Sequence, residues 1–279
     1  DPSGGSMPID DEDLPALTLL LSPERLGALQ ALTGDIRTAI ALHQETLRLG
    51  AMLMNVIASI EIALRNAICE NLARHFGTAG WLLQPPQPFQ WRESERNKIA
   101  AALDSARRSE YAKLSQAGKH ALDALAFPRG RPAKLSHLAR ARREHIAVSD
   151  GKVVAELTLY IWKRLCGPDY EHSLWRPTLK RIFPHKKLKR SEVADHLENL
   201  YQVRNRLAHH EPVLYGRFEQ AVAAIRFVVT HLGADPPSAE TPLARLIADD
   251  LAALEARAAK LHATLASFRR PGEQPGRPE

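Results

Sequence analysis

One short segment of this sequence gathers side chains that could act together in catalysis. Within residues 203–212 it holds Arg204, Asn205, His209 and His210 and then reaches Pro212. An imidazole titrates near neutral pH and can carry protons to and from a hydroxyl group. A guanidinium is permanently charged and presents a planar set of donors to a phosphate in its transition state. This combination is suited to cleaving RNA without a metal ion.

The spacing within this segment leaves two arrangements open. An apolar helical pattern leads into it through Val193, Leu197, Leu200 and Val203. On an ideal helix Arg204 and His209 lie about 140° apart around the axis, so they do not share a face. Either the helix ends near His209, as Pro212 favours, or two copies of the segment meet across a twofold axis. A polar helix end without chemistry is the alternative interpretation.

The other polar residues form no comparable group. Cys69 and Cys166 are far apart in sequence and predict buried free thiols in a reducing compartment. The neighbours His209 and His210 would point apart on a helix, and no other cluster has the spacing of metal ligands, so we expect no metal and no cofactor. Because there is no run of 18 apolar residues, we expect no membrane span and a cytoplasmic protein.

Positive charge is concentrated in the middle of the chain. Residues 129–190 contain 16 lysines and arginines against five aspartates and glutamates, whereas the whole chain has a net charge of +6. Such a surface could follow an RNA backbone and contribute affinity without sequence information. The residues predicted for this role are Arg140, Arg142, Arg143, Lys186, Lys187, Lys189 and Arg190.

The elements that must position these residues are predicted to be helices, and the fold class to be all-α. Aromatic residues make up only 6% of the chain, and Ala and Leu dominate the apolar residues, which favours helix. Helices are predicted over 35–76, 93–108, 136–146, 191–209, 215–232 and 241–268, and Ser22-Pro23-Glu24 should start an earlier one. The apolar segment 153–165 is predicted to be a helix, with a strand as the alternative.

The predicted organisation has one main part and a C-terminal extension. Residues 1–6 precede Met7 and resemble a vector-derived leader. Residues 7–233 are predicted to form the main helical domain, with the basic segment 129–190 in its middle. Residues 234–268 are predicted to form a C-terminal helix, whose heptad seam indicates packing on its own bundle or, alternatively, a dimer arm. Residues 269–279 are rich in Pro, Gly and Arg and predict a disordered tail.

The motif and its surroundings resemble a known superfamily. Arg204-Asn205-x-x-x-His209 resembles the RNxxxH signature of the HEPN superfamily, and residues 22–232 resemble the Abi-like (AbiD/AbiF-type) abortive-infection proteins. The likeness is carried by residues 22–26, by 60–68 with Phe76-Gly77 and Trp81, and by 154–157 with Trp162, Trp175 and 203–214. The family usually has a Phe-Gly-like step after its Glu-Leu, where this sequence has Thr158-Leu159-Tyr160.

The resemblance implies a HEPN-type helical bundle that forms a homodimer, with a ribonuclease site assembled from two protomers. It implies a bacterial toxin of phage defence that cleaves RNA by attack of the 2′-hydroxyl, leaving a 2′,3′-cyclic phosphate and a 5′-hydroxyl. In that interpretation His209 transfers protons and Arg204 binds the scissile phosphate. Asn205 orients the motif or the phosphate, and His210 is the second imidazole.

Three further residues are expected to support this site. Arg65-Asn66 repeats the first half of the motif, but Glu70 stands where the histidine would be. Together with Glu61 they are predicted to lie beside the site, with a helix–helix polar contact as the alternative. A regulatory or antitoxin RNA is predicted as a further partner.

Two other functions compete with this interpretation. The first is a non-catalytic RNA-binding or interaction module on the same fold, against which the intact Arg, Asn and His of the motif argue. The second is a DNA-binding helical regulator, for which the basic helix 136–146 is the only candidate recognition helix.

Overall fold

Twelve α-helices account for the architecture of residues 9–130 and 135–269, the part of the chain that the computed structural model describes, and this part contains no strand. The all-α class predicted from composition is therefore confirmed. The helices are α1 (Leu14–Leu21), α2 (Pro23–Thr33), α3 (Ile36–Phe76), α4 (Glu93–Lys113), α5 (Gln116–Ala121), α6 (Asp123–Ala126), α7 (Leu135–Glu144), α8 (Asp150–Glu156), α9 (Leu159–Leu165), α10 (Arg190–Ala208), α11 (Tyr215–His231) and α12 (Pro242–Ser267). Short 3₁₀ helices at Asp11–Asp13, Pro168–Tyr170 and Leu179–Ile182 and a π-helical turn at Glu171–Trp175 complete the structure.

The described helices form two compact units, and helices α3, α10 and α11 contribute to both. Of the described residues, the first unit comprises 9–60, Gln202–Val229 and 242–269. The second comprises 61–130, 135–201 and Thr230–Thr241. The whole 203–212 segment therefore belongs to the first unit.

Helix α12 packs within the first unit through its heptad seam. The buried seam residues are Ile247, Leu251, Leu254, Ala258, Leu261 and Leu265. An ion pair of 2.8 Å joins Arg257 to Glu45 on α3, and one of 2.7 Å joins Glu255 to Arg226 on α11. The prediction that this helix packs on its own bundle is thus confirmed. Residues 270–279, most of the predicted tail, lie outside the described residues, as do residues 1–8 with the predicted leader.

Gly50 lets α10 approach α3 closely. A Cβ atom at this position would lie 3.2 Å from Cδ2 of Leu207, closer than most side-chain contacts allow. Helix α3 passes through Gly50 without interruption and ends at Gly77, whose φ of +67° is the left-handed conformation that glycine adopts at helix ends. The residues just before the motif's terminal turn are therefore packed tightly against α3.

Two predicted helices show one boundary that a local side chain sets and one that it does not. Ser22 caps α2 as predicted, because its hydroxyl accepts a hydrogen bond from the Arg25 amide at 3.3 Å. The predicted helix 153–165 is interrupted, because Leu157 and Thr158 are extended, with ψ of 144° and 171°. Thr158 then starts α9 as its N-cap residue, and its carbonyl accepts from the Ile161 amide. The helical interpretation holds on both sides of the break.

A buried carboxylate organises the second unit. Glu95 on α4 is fully buried and accepts hydrogen bonds from Arg164 Nε at 2.9 Å, Tyr170 Oη at 2.8 Å and Ser94 Oγ at 2.7 Å. Burial raises the pKa of Glu95, but these hydrogen bonds and the charge of Arg164 lower it more, so the pKa lies below its ordinary value. The side chain is therefore an ionised anchor between α4, α9 and the 3₁₀ helix Pro168–Tyr170.

Helix α3 is the one described helix whose length and apolar composition would allow it to cross a membrane. The same criterion is met by core helices of proteins that never enter a bilayer. In the first unit, α3 buries Leu49, Leu53, Val56, Ile57 and Ile60. The helix therefore serves as a core element of that unit.

Candidate functional site

Helix α10 ends inside the motif, at Ala208, and the chain reverses in a Schellman turn. The Glu211 amide donates to the Arg206 carbonyl at 2.9 Å, and the His210 amide donates to the Leu207 carbonyl at 3.0 Å. His210 has a φ of +58°, in a position where glycine is usual. His209 is consequently the C-cap residue. In the first of the two arrangements predicted from the spacing, the helix ends near His209. The structure has this early end.

The side chains of Arg204, Asn205, His209 and His210 have no partner among the described residues. His209 and His210 are exposed, and Arg204 and Asn205 are partly exposed. None of these four side chains makes a hydrogen bond or an ion pair within the described part of the chain, whereas the neighbouring Arg206 forms a 3.0 Å ion pair with Glu211 across the turn. The groups suited to chemistry are therefore free to meet a ligand, and the one cation that is paired stabilises the turn.

Helix α12 fixes the far end of the loop that follows the motif. The Tyr215 amide donates to Nε2 of His262 at 3.1 Å, and the two rings stack with their centroids 4.6 Å apart. The guanidinium of Arg269 also lies over the Tyr215 ring, 4.8 Å from its centroid, and donates to the Tyr215 hydroxyl at 2.9 Å. Tyr215 has a φ of +51°, so this backbone conformation is held by tertiary contacts rather than by local preference. His262 is thus a positioning residue for residues 209–215.

This contact predicts that the first unit loses stability in mild acid. Burial lowers the pKa of His262, with a smaller opposing effect of Glu219 and a further lowering by Arg269. Because the unfolded chain then binds a proton that the folded chain excludes, the free energy of unfolding falls as the pH drops below about 6.5. His262→Phe keeps the ring but loses the acceptor, at a cost of about 1 kcal/mol at pH 7.5.

Melting curves of the wild type and of His262→Phe between pH 5 and 8 measure this effect. The difference between the two proteins should shrink toward pH 5, because the wild type has by then lost the same hydrogen bond. His43 and His196 also have a lowered pKa, from burial above all, and are present in both proteins, so they cancel in the difference. A difference that stays constant over this range would show that His262 does not titrate in this way.

Two adjoining cavities of the first unit flank the turn. One, of about 420 Å³, is lined by Arg25, His43, His209 and His210 together with apolar residues of α2 and of the loop. The other, of about 410 Å³, lies along α3 beside Gly50 and shares Thr46, His210, Glu211 and Pro212 with the first. Arg204 lines neither cavity. Within one chain, the cavity that the motif histidines line therefore includes Arg25 but not the motif arginine.

Arg25 and His43 were not among the site residues predicted from the sequence. Arg25 is exposed and has no ion pair within the described residues. His43 is buried, only 7% exposed, and its Nδ1 has no hydrogen-bond partner. The segment Ser22-Pro23-Glu24-Arg25 predicted only the start of a helix. Arg25 was missed because no sequence spacing relates residue 25 to residue 209.

The basic residues predicted to bind RNA have different surroundings. Arg142 is buried, and its guanidinium bonds to Asp123 and to the Tyr111 hydroxyl; Arg190 bonds to Glu171 and to the Cys166 carbonyl. Arg143 is partly buried and lies 3.9 Å from Asp104. The exposed members are Arg140, Lys186, Lys187 and Lys189, although Arg140 lies 3.9 Å from Glu144. Arg142 and Arg190 thus have structural partners already.

The predicted supporting residues Glu61, Arg65 and Asn66 lie on the part of α3 that belongs to the second unit. Arg65 Nε donates to the Asn66 side-chain oxygen at 3.3 Å, and Asn66 is exposed. Their proximity to the motif stays a prediction.

Neither a metal site nor a reactive thiol is found among the described residues. Among the described residues no group of three His, Cys, Asp or Glu side chains has the geometry of a metal site. Both cysteines are free, and burial raises the pKa of Cys69 to about 11 and that of Cys166 to about 12. Neither thiol would be ionised at neutral pH, so neither is a nucleophile.

Comparison with protein-family models, with curated proteins and with solved structures finds no match to this chain. The function is therefore inferred from the motif and its geometry.

Proposed function

We propose that this protein is a metal-independent endoribonuclease of the HEPN type, with His209 as the proton-transfer residue and Arg204 as the phosphate-binding cation. The reaction would proceed by attack of the RNA 2′-hydroxyl on the adjacent phosphorus, with loss of the 5′-oxygen of the next nucleotide. The products would be a 2′,3′-cyclic phosphate and a 5′-hydroxyl. His210 and Asn205 would assist as second imidazole and as orienting amide.

The observation that carries this proposal is the end of α10 within the motif. The Schellman turn exposes two adjacent imidazoles, and Arg204 lies one turn earlier without an ion pair in the described part of the chain. A helix end with only a structural role would not require a histidine at position 210, because glycine adopts the φ of +58° found there without strain. Unpaired chemistry-bearing groups at a strained turn are typical of functional sites.

The separation of Arg204 from the cavities supports a site completed by a second copy. Although α10 ends at Ala208, the cavity that His209 lines does not include Arg204 of the same chain. In a homodimer, Arg204 of one protomer would meet His209 of the other. Arg140, Lys186, Lys187 and Lys189 would add sequence-independent contacts to the RNA backbone. A toxin role in phage defence, in the cytoplasm and restrained by an antitoxin RNA, would follow from the same resemblance.

The test combines product analysis with subunit mixing. Purified wild type is incubated with end-labelled single-stranded RNA in EDTA, and the product ends are identified. We expect cleavage with 2′,3′-cyclic phosphate ends by the wild type, and cleavage at least about 100-fold slower with Arg204→Ala or with His209→Ala. Refolding these two variants together should restore a quarter to a half of the activity if each site takes one residue from each protomer.

Each result has a distinct meaning. Cleavage by both single variants at the wild-type rate would overturn the proposal. Inactive variants that stay inactive when mixed, despite forming mixed dimers, would place Arg204 and His209 of the same chain in one site. RNA binding without cleavage would instead establish a non-catalytic RNA-binding module.

A further inference from the structure

The cavity beside the motif turn has the composition of a nucleotide-binding site. Its volume of about 420 Å³ lies within the range of small-ligand sites, about 300–1,000 Å³. Its lining includes Arg25 and the apolar residues Ala28, Leu29 and Leu214. A guanidinium binds phosphate through a planar pair of donors, and apolar walls suit the faces of a nucleobase.

The buried imidazole of His43 is a second, independent observation. It lines this cavity, is 7% exposed, and has no side-chain hydrogen bond to any described residue. Buried polar groups are normally paired. Nδ1 is closed off from solvent, whereas Nε2 also lacks a partner among the described residues but is not fully buried, so a ligand in the cavity with a polar edge would bond to Nε2.

His43 is in the protonation state that such recognition requires. Burial, and to a smaller extent the positive charge of Arg25, lowers its pKa. At neutral pH the ring is therefore uncharged and has one donor and one acceptor. An uncharged imidazole can distinguish the hydrogen-bonding edges of different bases, whereas a charged one only donates.

We propose that this cavity holds one nucleotide of the RNA strand beside the cleaved bond, with Arg25 on a phosphate and His43 on the edge of the base. This inference rests on the proposed function, because it makes the cavity the neighbour of the reacting phosphate. His209 and His210 lie on the same cavity, so a nucleotide seated there brings the adjacent phosphodiester to the imidazoles. Arg25 and His43 are then positioning and specificity-determining residues.

Nucleotide binding is tested separately from cleavage. Titration calorimetry compares the four nucleoside 3′-monophosphates with inorganic phosphate and with the unphosphorylated nucleosides, all on the full chain. We expect at least one monophosphate to bind ten times more tightly than either of its parts. Arg25→Ala should weaken monophosphate binding at least tenfold and leave nucleoside binding unchanged, and His43→Leu should reduce the differences among the four bases.

Controls distinguish these effects from misfolding. Arg48→Ala removes an exposed arginine of the same unit that lines neither cavity, and it should bind nucleotides like the wild type. His43→Gln retains a donor and an acceptor, so it should preserve a base preference if His43→Leu fails to fold. Equal affinity for phosphate and for every monophosphate would overturn the proposal.

The outcomes also separate the two proposals. RNA cleavage with unchanged rate and base preference in Arg25→Ala and His43→Leu would overturn the nucleotide site and leave the ribonuclease intact. Nucleotide binding that depends on Arg25, in a protein that cuts no RNA, would overturn the ribonuclease and support the cavity as a nucleotide site.

Discussion

His209→Ala is expected to slow RNA cleavage by about 100-fold to 10,000-fold, the usual contribution of a positioned general acid or base. Its free energy of unfolding should stay within about 0.5 kcal/mol of the wild type's, because the side chain is exposed and makes no hydrogen bond in the described structure. The measurement is the single-turnover rate on labelled RNA in EDTA, with a melting curve of the same sample. A large kinetic effect with a small stability effect is the signature of a chemical role.

His75→Ala is the matched control for this result. His75 is also an exposed histidine at the C-terminal end of a helix, but it lies on α3 away from the motif sequence. Its substitution should leave cleavage at the wild-type rate. If both variants lost activity equally, the loss with His209→Ala would report a general effect of removing surface histidines.

His210→Gly complements this pair because glycine suits the backbone at that position. The φ of +58° at His210 costs a non-glycine residue about 1 kcal/mol. The variant should therefore be more stable than the wild type, by about 0.5–1 kcal/mol, yet slower in cleavage. Greater stability with unchanged activity would show that the second imidazole has no part in the reaction.

Glu95→Ala is expected to lower the free energy of unfolding of the second unit by about 3–5 kcal/mol. The side chain is fully buried and accepts three hydrogen bonds, including one from the guanidinium of Arg164. Its removal leaves Tyr170 and Ser94 without their acceptor and Arg164 with Asp169 alone as an anionic partner. Urea denaturation monitored by helical circular dichroism measures the loss.

Glu70→Ala is the control for that prediction. Glu70 also forms an ion pair with an arginine in the second unit, at 2.6 Å from Arg74, but both side chains are more than half exposed. Exposed pairs of this kind contribute about 0.2–1 kcal/mol, so the variant should unfold almost like the wild type. A similar loss from both substitutions would show that burial of Glu95 is not the source of its effect.

The stability that the ionised Glu95 side chain contributes should fall as the pH falls. Because the folded pKa of Glu95 lies below its ordinary value, its contribution is fully present above about pH 4.5. It is lost as the pH falls through the folded pKa. The two units should therefore respond to acid in different ranges, since the His262 contact of the first unit is lost at mildly acidic pH.

The sequence predicted the helices well because their signals are local. Ser22 as a cap, Gly77 as a stop and the seam of α12 are each determined by neighbouring residues or by a period of three to four. The break at Leu157 and Thr158 was missed, because an apolar run looks the same whether one helix or two cover it. Boundaries of this kind depend on tertiary packing rather than on propensity.

The site was predictable only where its residues are close in sequence. Arg204 to His210 lie in one segment, and Pro212 correctly indicated an early helix end. Arg25 and His43 lie more than 160 residues before His209, so only folding onto α2 and α3 brings them to its cavity. The basic character of Arg142 and Arg190 was visible, but their pairing with Asp123 and Glu171 was not.

Because the motif turn depends on α12, it can reach its final structure only late in the synthesis of the chain. His262, which holds the Tyr215 amide, follows Tyr215 by 47 residues. At translation rates of about 5–20 residues per second, a ribosome needs about 2–9 seconds to add them. Throughout this interval the nascent chain carries the motif without the helix that fixes the following loop. A message cut short before α12 would therefore yield a chain whose motif turn lacks this support, and under the proposed function RNA cleavage would begin only when that helix has emerged.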